Sequence, residues 1–144
     1  SVKGVDVMVK IILASHGDLS KGMLNSVSMI VGELAKDIET YSLYPGENPN
    51  DYAASLKKRI EADTKDYVIV CDVKGGSVYN ALLQTCNNER VNLISGMNMN
   101  MVLELVISNN SGNVNIDHVL DSGKVGITLE NSVTLKKDIE EEEF

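Results

Sequence analysis

The chain carries two histidines and two cysteines, and His16, in the run Ser15-His16-Gly17, is best placed for covalent chemistry. A histidine can present a neutral ring with a free nitrogen lone pair near neutral pH, which makes it a candidate nucleophile. Asp72 stands just before Gly75-Gly76-Ser77, and a third polar loop reads Gly96-Met97-Asn98. An aspartate beside a histidine accepts a hydrogen bond from one ring nitrogen, which fixes the tautomer and frees the lone pair on the other. Glycines let backbone amides approach a tetrahedral anion, and a serine at a helix start adds a hydroxyl where the dipole favours phosphate. This chemistry suits a phosphoryl group. The catalytic candidates are therefore His16 and Asp72, with Ser15, Gly17, Gly75, Gly76, Ser77 and Asn98 as candidate phosphoryl-binding residues. His118 follows Asp117 with no second ligand nearby and reads as a surface residue.

These loops are useful only if the fold brings them together, and the intervening pattern does so. Val9 to Ala14 is a continuous apolar run, as a strand covered on both faces requires. Leu19, Met23, Val27, Ile30 and Val31 then recur at helical spacing, and Gly32 marks a stop. Ile38 to Tyr44 reads as a second strand, broken by Pro45-Gly46-Glu47, and Asn48-Pro49 opens a helix running to about Asp63. Tyr67 to Asp72 is a third strand, followed by a helix from the Gly-Gly-Ser turn to about Cys86. Val91 to Ser95 is a fourth strand, with helices expected over 100–108 and 116–121 and a last strand over 126–130. Strands alternating with helices imply right-handed crossovers, hence an α/β fold with an open, mainly parallel sheet and helices on both faces. In such sheets ligands bind outside the carboxyl ends of the strands, where the three polar loops must lie.

Composition narrows the alternatives. The 144 residues fit one domain, and a hydrophobic fraction of 43% is that of an ordinary globular chain. The net charge of −8, with no basic stripe, argues against nucleic acid or an anionic membrane as partner. No apolar run approaches the roughly 18 residues a membrane span needs, and no export signal is visible, so a cytoplasmic protein is expected. Cys71, inside an apolar run, reads as a core residue, and neither a disulfide nor a zinc site is expected from the two cysteines. Residues 1–7 read as an expression remnant, with a natural start at Met8, a domain over 8–131 and a solvated acidic tail over 132–144.

Four pieces in order resemble the mannose-type enzyme IIA domains of the bacterial sugar phosphotransferase system, also called the mannose/fructose/sorbose family. They are Ser15-His16-Gly17, Pro45-Gly46-Glu47-Asn48, Asp72 through Gly75-Gly76-Ser77 with Asn80, and Gly96-Met97-Asn98 through Met101. The resemblance implies that His16 accepts a phosphoryl group from the phosphocarrier protein HPr and passes it to an enzyme IIB partner. The IIB protein would serve a membrane IIC/IID sugar transporter. It also implies that Asp72 orients the ring, that Ser77 and nearby amides hold the phosphoryl group, and that no metal or organic cofactor takes part. A homodimer in which the last strand pairs with the partner subunit is a further implication. Two departures stand out: Val78 follows Gly-Gly-Ser where the family has proline, and Asn100 replaces a second proline in Asn98-Met99-Asn100-Met101.

Other readings fit less well. A phosphotransferase subunit of a dihydroxyacetone kinase shares the fold and the histidine chemistry, but the Pro45-Gly46-Glu47-Asn48 loop favours the sugar system. A receiver domain phosphorylated on Asp72 needs acidic residues after the first strand to hold magnesium, where this chain has Ser15-His16-Gly17. A regulatory module that has lost transfer finds support only in the two missing prolines. A dinucleotide enzyme is excluded because no GxGxxG follows a strand.

Overall fold

The computed structural model describes residues 8–142, so the reading of 1–7 as a remnant falls outside the described residues. Four strands form one parallel sheet: β1 (Lys10–His16), β2 (Glu39–Leu43), β3 (Tyr67–Cys71) and β4 (Val91–Ser95), in the order β2-β1-β3-β4. The chain moves outward from β1 to β2, then crosses back to place β3 on the other side of β1. The strand order thus reverses between β1 and β3, which makes their carboxyl ends the switch point of the sheet.

The two central strands explain why the sheet has two cores. Ile11 and Leu13 of β1 join Val68 and Val70 of β3 on one face, packed under α1 (Leu19–Val31), α4 (Met99–Asn110) and α5 (Ile116–Val125). Ile12 and Ala14 join Tyr67, Ile69 and Cys71 on the opposite face, under α2 (Pro49–Glu61) and α3 (Ser77–Leu82). Period-two alternation in runs that are apolar on both faces, over residues 11–14 and 67–71, is the pattern of a sheet covered on both sides. Within α1, Val27 is buried as its spacing predicts, whereas Leu19 and Ile30 face solvent. Asn48 caps α2 as expected, its side chain accepting a backbone amide, and Asn98 and Asn115 do the same for α4 and α5.

One expectation needs correction at the C-terminus. The strand expected over 126–130 does not form, because α5 continues to Val125 and the chain beyond Gly126 pairs with no strand among the described residues. The edges of the sheet are β2 and β4 instead. A strand exists only through the partner that accepts its hydrogen bonds, and Ile127 and Leu129 remain exposed here. The acidic tail, in turn, is helical over Ser132–Glu142 (α6). Asn131 caps it, its Oδ1 accepting from the amides of Val133 at 2.9 Å and Thr134 at 3.0 Å. No residue of α6 is buried.

Candidate functional site

His16 is the last residue of β1, and Asp72 directly follows β3, so adjacent strands deliver the two side chains to one point. Asp72 Oδ2 accepts the His16 backbone N–H at 2.8 Å and lies 2.7 Å from the ring Nδ1. Its other oxygen accepts the Val73 amide at 2.9 Å. Burial raises the Asp72 carboxyl, but the hydrogen bonds from His16 and Val73 outweigh it and hold the group below the ordinary carboxylate range. An ionised carboxylate can only accept, so Nδ1 carries the ring proton and Nε2 keeps its lone pair. Ser77 Oγ sits 3.1 Å from Nε2. Exposure divides the roles, since the His16 side chain is 48% accessible and that of Asp72 only 9%. The ring can meet a partner, and its anchor is shielded from water.

The Gly-Gly-Ser turn shapes the other wall. Gly75 adopts φ +81°, which a residue with a Cβ enters only at a cost, and the Asn80 side-chain amide donates to its carbonyl at 3.1 Å. A Cβ on Gly76 would lie 3.2 Å from His16 Cε1 and 3.0 Å from Val73 Cγ1, so the bare glycine lets the turn pack against the imidazole. Gly76 also stands at the N-cap of α3 and supplies no side-chain cap, which leaves the first-turn amides beside Ser77 without one.

The remaining candidate residues have other tasks. Ser15 is fully buried: its hydroxyl accepts the Ser20 amide at 2.7 Å and donates to the Gly17 carbonyl at 3.1 Å. The Gly17 amide donates to Leu43 O at 2.7 Å and is already spent extending the β1–β2 ladder. Asn98 is a brace between helices, its Oδ1 capping α4 at Met101 N (3.1 Å) and its Nδ2 reaching the carbonyls of Gly96 and Gly123, each at 3.3 Å. The fourth loop is nonetheless fastened to the site, because Gly96 N donates to Asp72 O and Met97 N to Cys71 O, each at 3.2 Å. His118 lies away from this cluster, 3.4 Å from Glu104. Among the described residues no group of three or more His, Cys, Asp or Glu gathers as a metal would require.

Both departures from proline fall in the first turn of a helix. Val78 is the second residue of α3 and fully buried, and Asn100 is the second residue of α4, packed where Gly126 leaves room. First-turn amides have no intrahelical partner, so a proline there costs nothing and its loss leaves the helix start unchanged. Sequence reasoning missed a cluster beside His16: the Tyr44 hydroxyl donates to Asp18 Oδ1, and Lys21 Nζ donates to the same hydroxyl at 2.8 Å. An aromatic residue at the carboxyl end of β2, on the same edge as the other loops, was the available signal.

Fold and site together define an open α/β domain that presents an oriented histidine at the carboxyl edge of its sheet. Residues 10–122 match the family model described as the PTS system fructose IIA component, and the chain belongs to this family of sugar phosphotransferase system IIA components. It is 37% identical over 101 residues to the sorbose-specific EIIA component of the PTS of Klebsiella pneumoniae, across 69% of this chain and 73% of that protein. Among solved structures, the mannose/sorbose-specific IIA subunit of the phosphotransferase system of Enterococcus faecalis matches with a TM-score of 0.73. That match has 27% identity and covers 87% of this chain and 96% of that one. The phosphotransferase system component EIIA of Streptococcus agalactiae gives a TM-score of 0.71 at 26% identity, covering 85% of this chain and 97% of that one. No helix among the described residues is long and apolar enough to cross a membrane.

Proposed function

We propose that this IIA component carries a phosphoryl group on His16 Nε2, taken from HPr and passed to an enzyme IIB partner during sugar uptake. The observation that carries the reading is the half-exposed imidazole held between Asp72 at Nδ1 and Ser77 at Nε2. The Nε2 lone pair attacks phosphorus as the bond from phosphorus to the donor nitrogen breaks. Positive charge builds on the ring in this step, and Asp72 stabilises it across the 2.7 Å contact to Nδ1. Once Nε2 is substituted, the Ser77 hydroxyl turns its proton from the ring nitrogen to a phosphoryl oxygen. The first-turn amides of α3, which begin at Ser77 and have no side-chain cap, supply further donors for that anion. Transfer to IIB reverses these steps, with no metal or organic cofactor, and IIB then serves a membrane IIC/IID transporter from the cytoplasmic side. The likeness to a sorbose-specific component supports the sugar pathway over the kinase-linked one.

The functional unit in this reading is a homodimer. The segment after Gly126 carries exposed Ile127 and Leu129 at alternating positions, and β4 is a sheet edge. Pairing this segment with a second copy covers both features.

The test is labelling by phosphoenolpyruvate, enzyme I and HPr. The chain is expected to take up one alkali-stable phosphoryl group and release it to a IIB protein, and His16→Ala is expected to take up none. Label retained by His16→Ala overturns the proposal. Sedimentation at micromolar concentration tests the dimer, and a monomer there refutes it.

A further inference from the structure

Asp18 stands at the N-cap of α1, where a carboxylate ordinarily accepts an amide of the first helical turn, yet it makes no such bond. The buried Ser15 hydroxyl takes the Ser20 amide instead, at 2.7 Å. Asp18 is thereby released, and its Oδ1 accepts the Tyr44 hydroxyl. Lys21 Nζ donates to the same hydroxyl at 2.8 Å and stands 5.2 Å from the centre of the Tyr44 ring. At its base Tyr44 is fixed as well: its amide donates to Glu47 Oε1 at 2.7 Å, and the Glu47 amide donates to its carbonyl at 3.1 Å. Between base and tip the backbone adds one bond, from Gly17 N to Leu43 O at 2.7 Å.

From this geometry we infer that Tyr44 is a positioning residue for the phosphoryl transfer proposed above, acting on His16 through Asp18 and the Gly17–Leu43 bond. The inference rests on that reading of His16. Asp72 and Ser77 hold the imidazole from the β3 side, but they hold only the ring and one amide. The turn after His16 must also stay fixed, or the ring swings with its backbone. Gly17 at φ +53° is the weak point of that turn, because glycine has the widest conformational freedom. Tyr44 straps the residue beyond it, Asp18, to the end of β2. Lys21 completes the device: bonded to the same hydroxyl, its ammonium is also attracted to the Asp18 carboxylate.

The test compares Tyr44→Phe, Asp18→Ala and the double variant with the wild-type chain. Tyr44→Phe keeps the ring over Lys21 and loses only the hydroxyl. Each single variant is expected to lower the rate of phosphorylation at saturating HPr by about tenfold, the size expected for one charge-assisted hydrogen bond, with KM changed less than about twofold. The double variant should be no slower than the singles, because all three lose the same bond. Asp18→Asn, which can still accept from the hydroxyl, should recover most of the rate. Hydrogen exchange of the Gly17 amide supplies a readout independent of transfer, and it should quicken about tenfold in Tyr44→Phe. Losses that multiply in the double variant, or an unchanged Gly17 amide, overturn the inference. A wild-type chain that takes up no phosphate overturns the underlying reading instead, and the exchange measurement still decides whether Tyr44 holds the loop.

Discussion

Asp72→Asn changes one atom and strikes at the physical argument for the site. In the native chain Asp72 Oδ2 receives two donors, the His16 amide at 2.8 Å and Nδ1 at 2.7 Å, and the side chain is 9% exposed, so water does little to replace them. A neutral acceptor weakens both bonds by roughly 1 kcal/mol each and no longer offsets the charge that builds on the ring, for a total of about 2–4 kcal/mol. At 1.36 kcal/mol per factor of ten, phosphorylation should slow by about 30- to 1,000-fold. If the new amide instead turns its NH2 toward Nδ1, the ring proton moves to Nε2 and the nucleophilic lone pair is lost, which deepens the defect. Rapid-quench measurement of label transfer from phosphorylated HPr gives the rate, and titration with unphosphorylated HPr gives docking affinity, expected to change less than about twofold. A transfer rate within about threefold of wild type refutes the reasoning, since Asp72 would then be only a turn residue.

Ser77→Ala removes the hydroxyl 3.1 Å from Nε2 and should slow phosphorylation by about fivefold to tenfold, read in the same quench assay. Gly76→Ala places a methyl 3.2 Å from His16 Cε1, and a displaced ring should appear as changed imidazole NMR shifts together with a rate loss larger than that of Ser77→Ala. Leu13→Ala empties a fully buried site in the central strand and should cost about 2–5 kcal/mol in denaturant unfolding. Stability should also depend on pH through Asp63 and Tyr67, whose hydroxyl donates to Asp63 Oδ2 at 2.6 Å. That bond, with the Lys65 amide, holds the Asp63 carboxyl well below its ordinary 3.8, so its contribution is present above that pH and lost as the solution is acidified below it. Burial and the same carboxylate push the Tyr67 hydroxyl up to about 12 from 10.0, so its contribution is lost as pH rises through that interval. Tyr67→Phe should flatten both limbs of a thermal-stability profile against pH.

The strands and the crossovers were legible because β3 and the centre of β1, residues 11–14, are continuous apolar runs, the pattern of a sheet covered on both faces. His16 and Asp72 were legible for the same reason: each ends such a strand, and the parallel topology leaves them one meeting place. Ser15 and Asn98 were harder, because a polar residue in a loop can serve a ligand or the backbone equally well. Only the three-dimensional partners show that Ser15 caps α1 and that Asn98 caps α4 while holding α5. Gly17 was read as an amide donor to an anion, but Leu43 takes that amide, a pairing that depends on the β1–β2 register. Residues 126–130 have strand composition without a partner strand among the described residues, and composition alone does not say where a partner is. Tyr44 was passed over because its role lies in bonds to Asp18 and Lys21, 26 and 23 residues away along the chain.

The most direct measurement is NMR of the chain labelled with 15N in its histidine rings, before and after phosphorylation by phosphoenolpyruvate, enzyme I and HPr. The expected spectrum shows a phosphorus–nitrogen coupling at Nε2 of His16, a proton retained on Nδ1 against Asp72, and an unmodified His118. Phosphorylation at Nδ1, on His118, or on no histidine at all contradicts it.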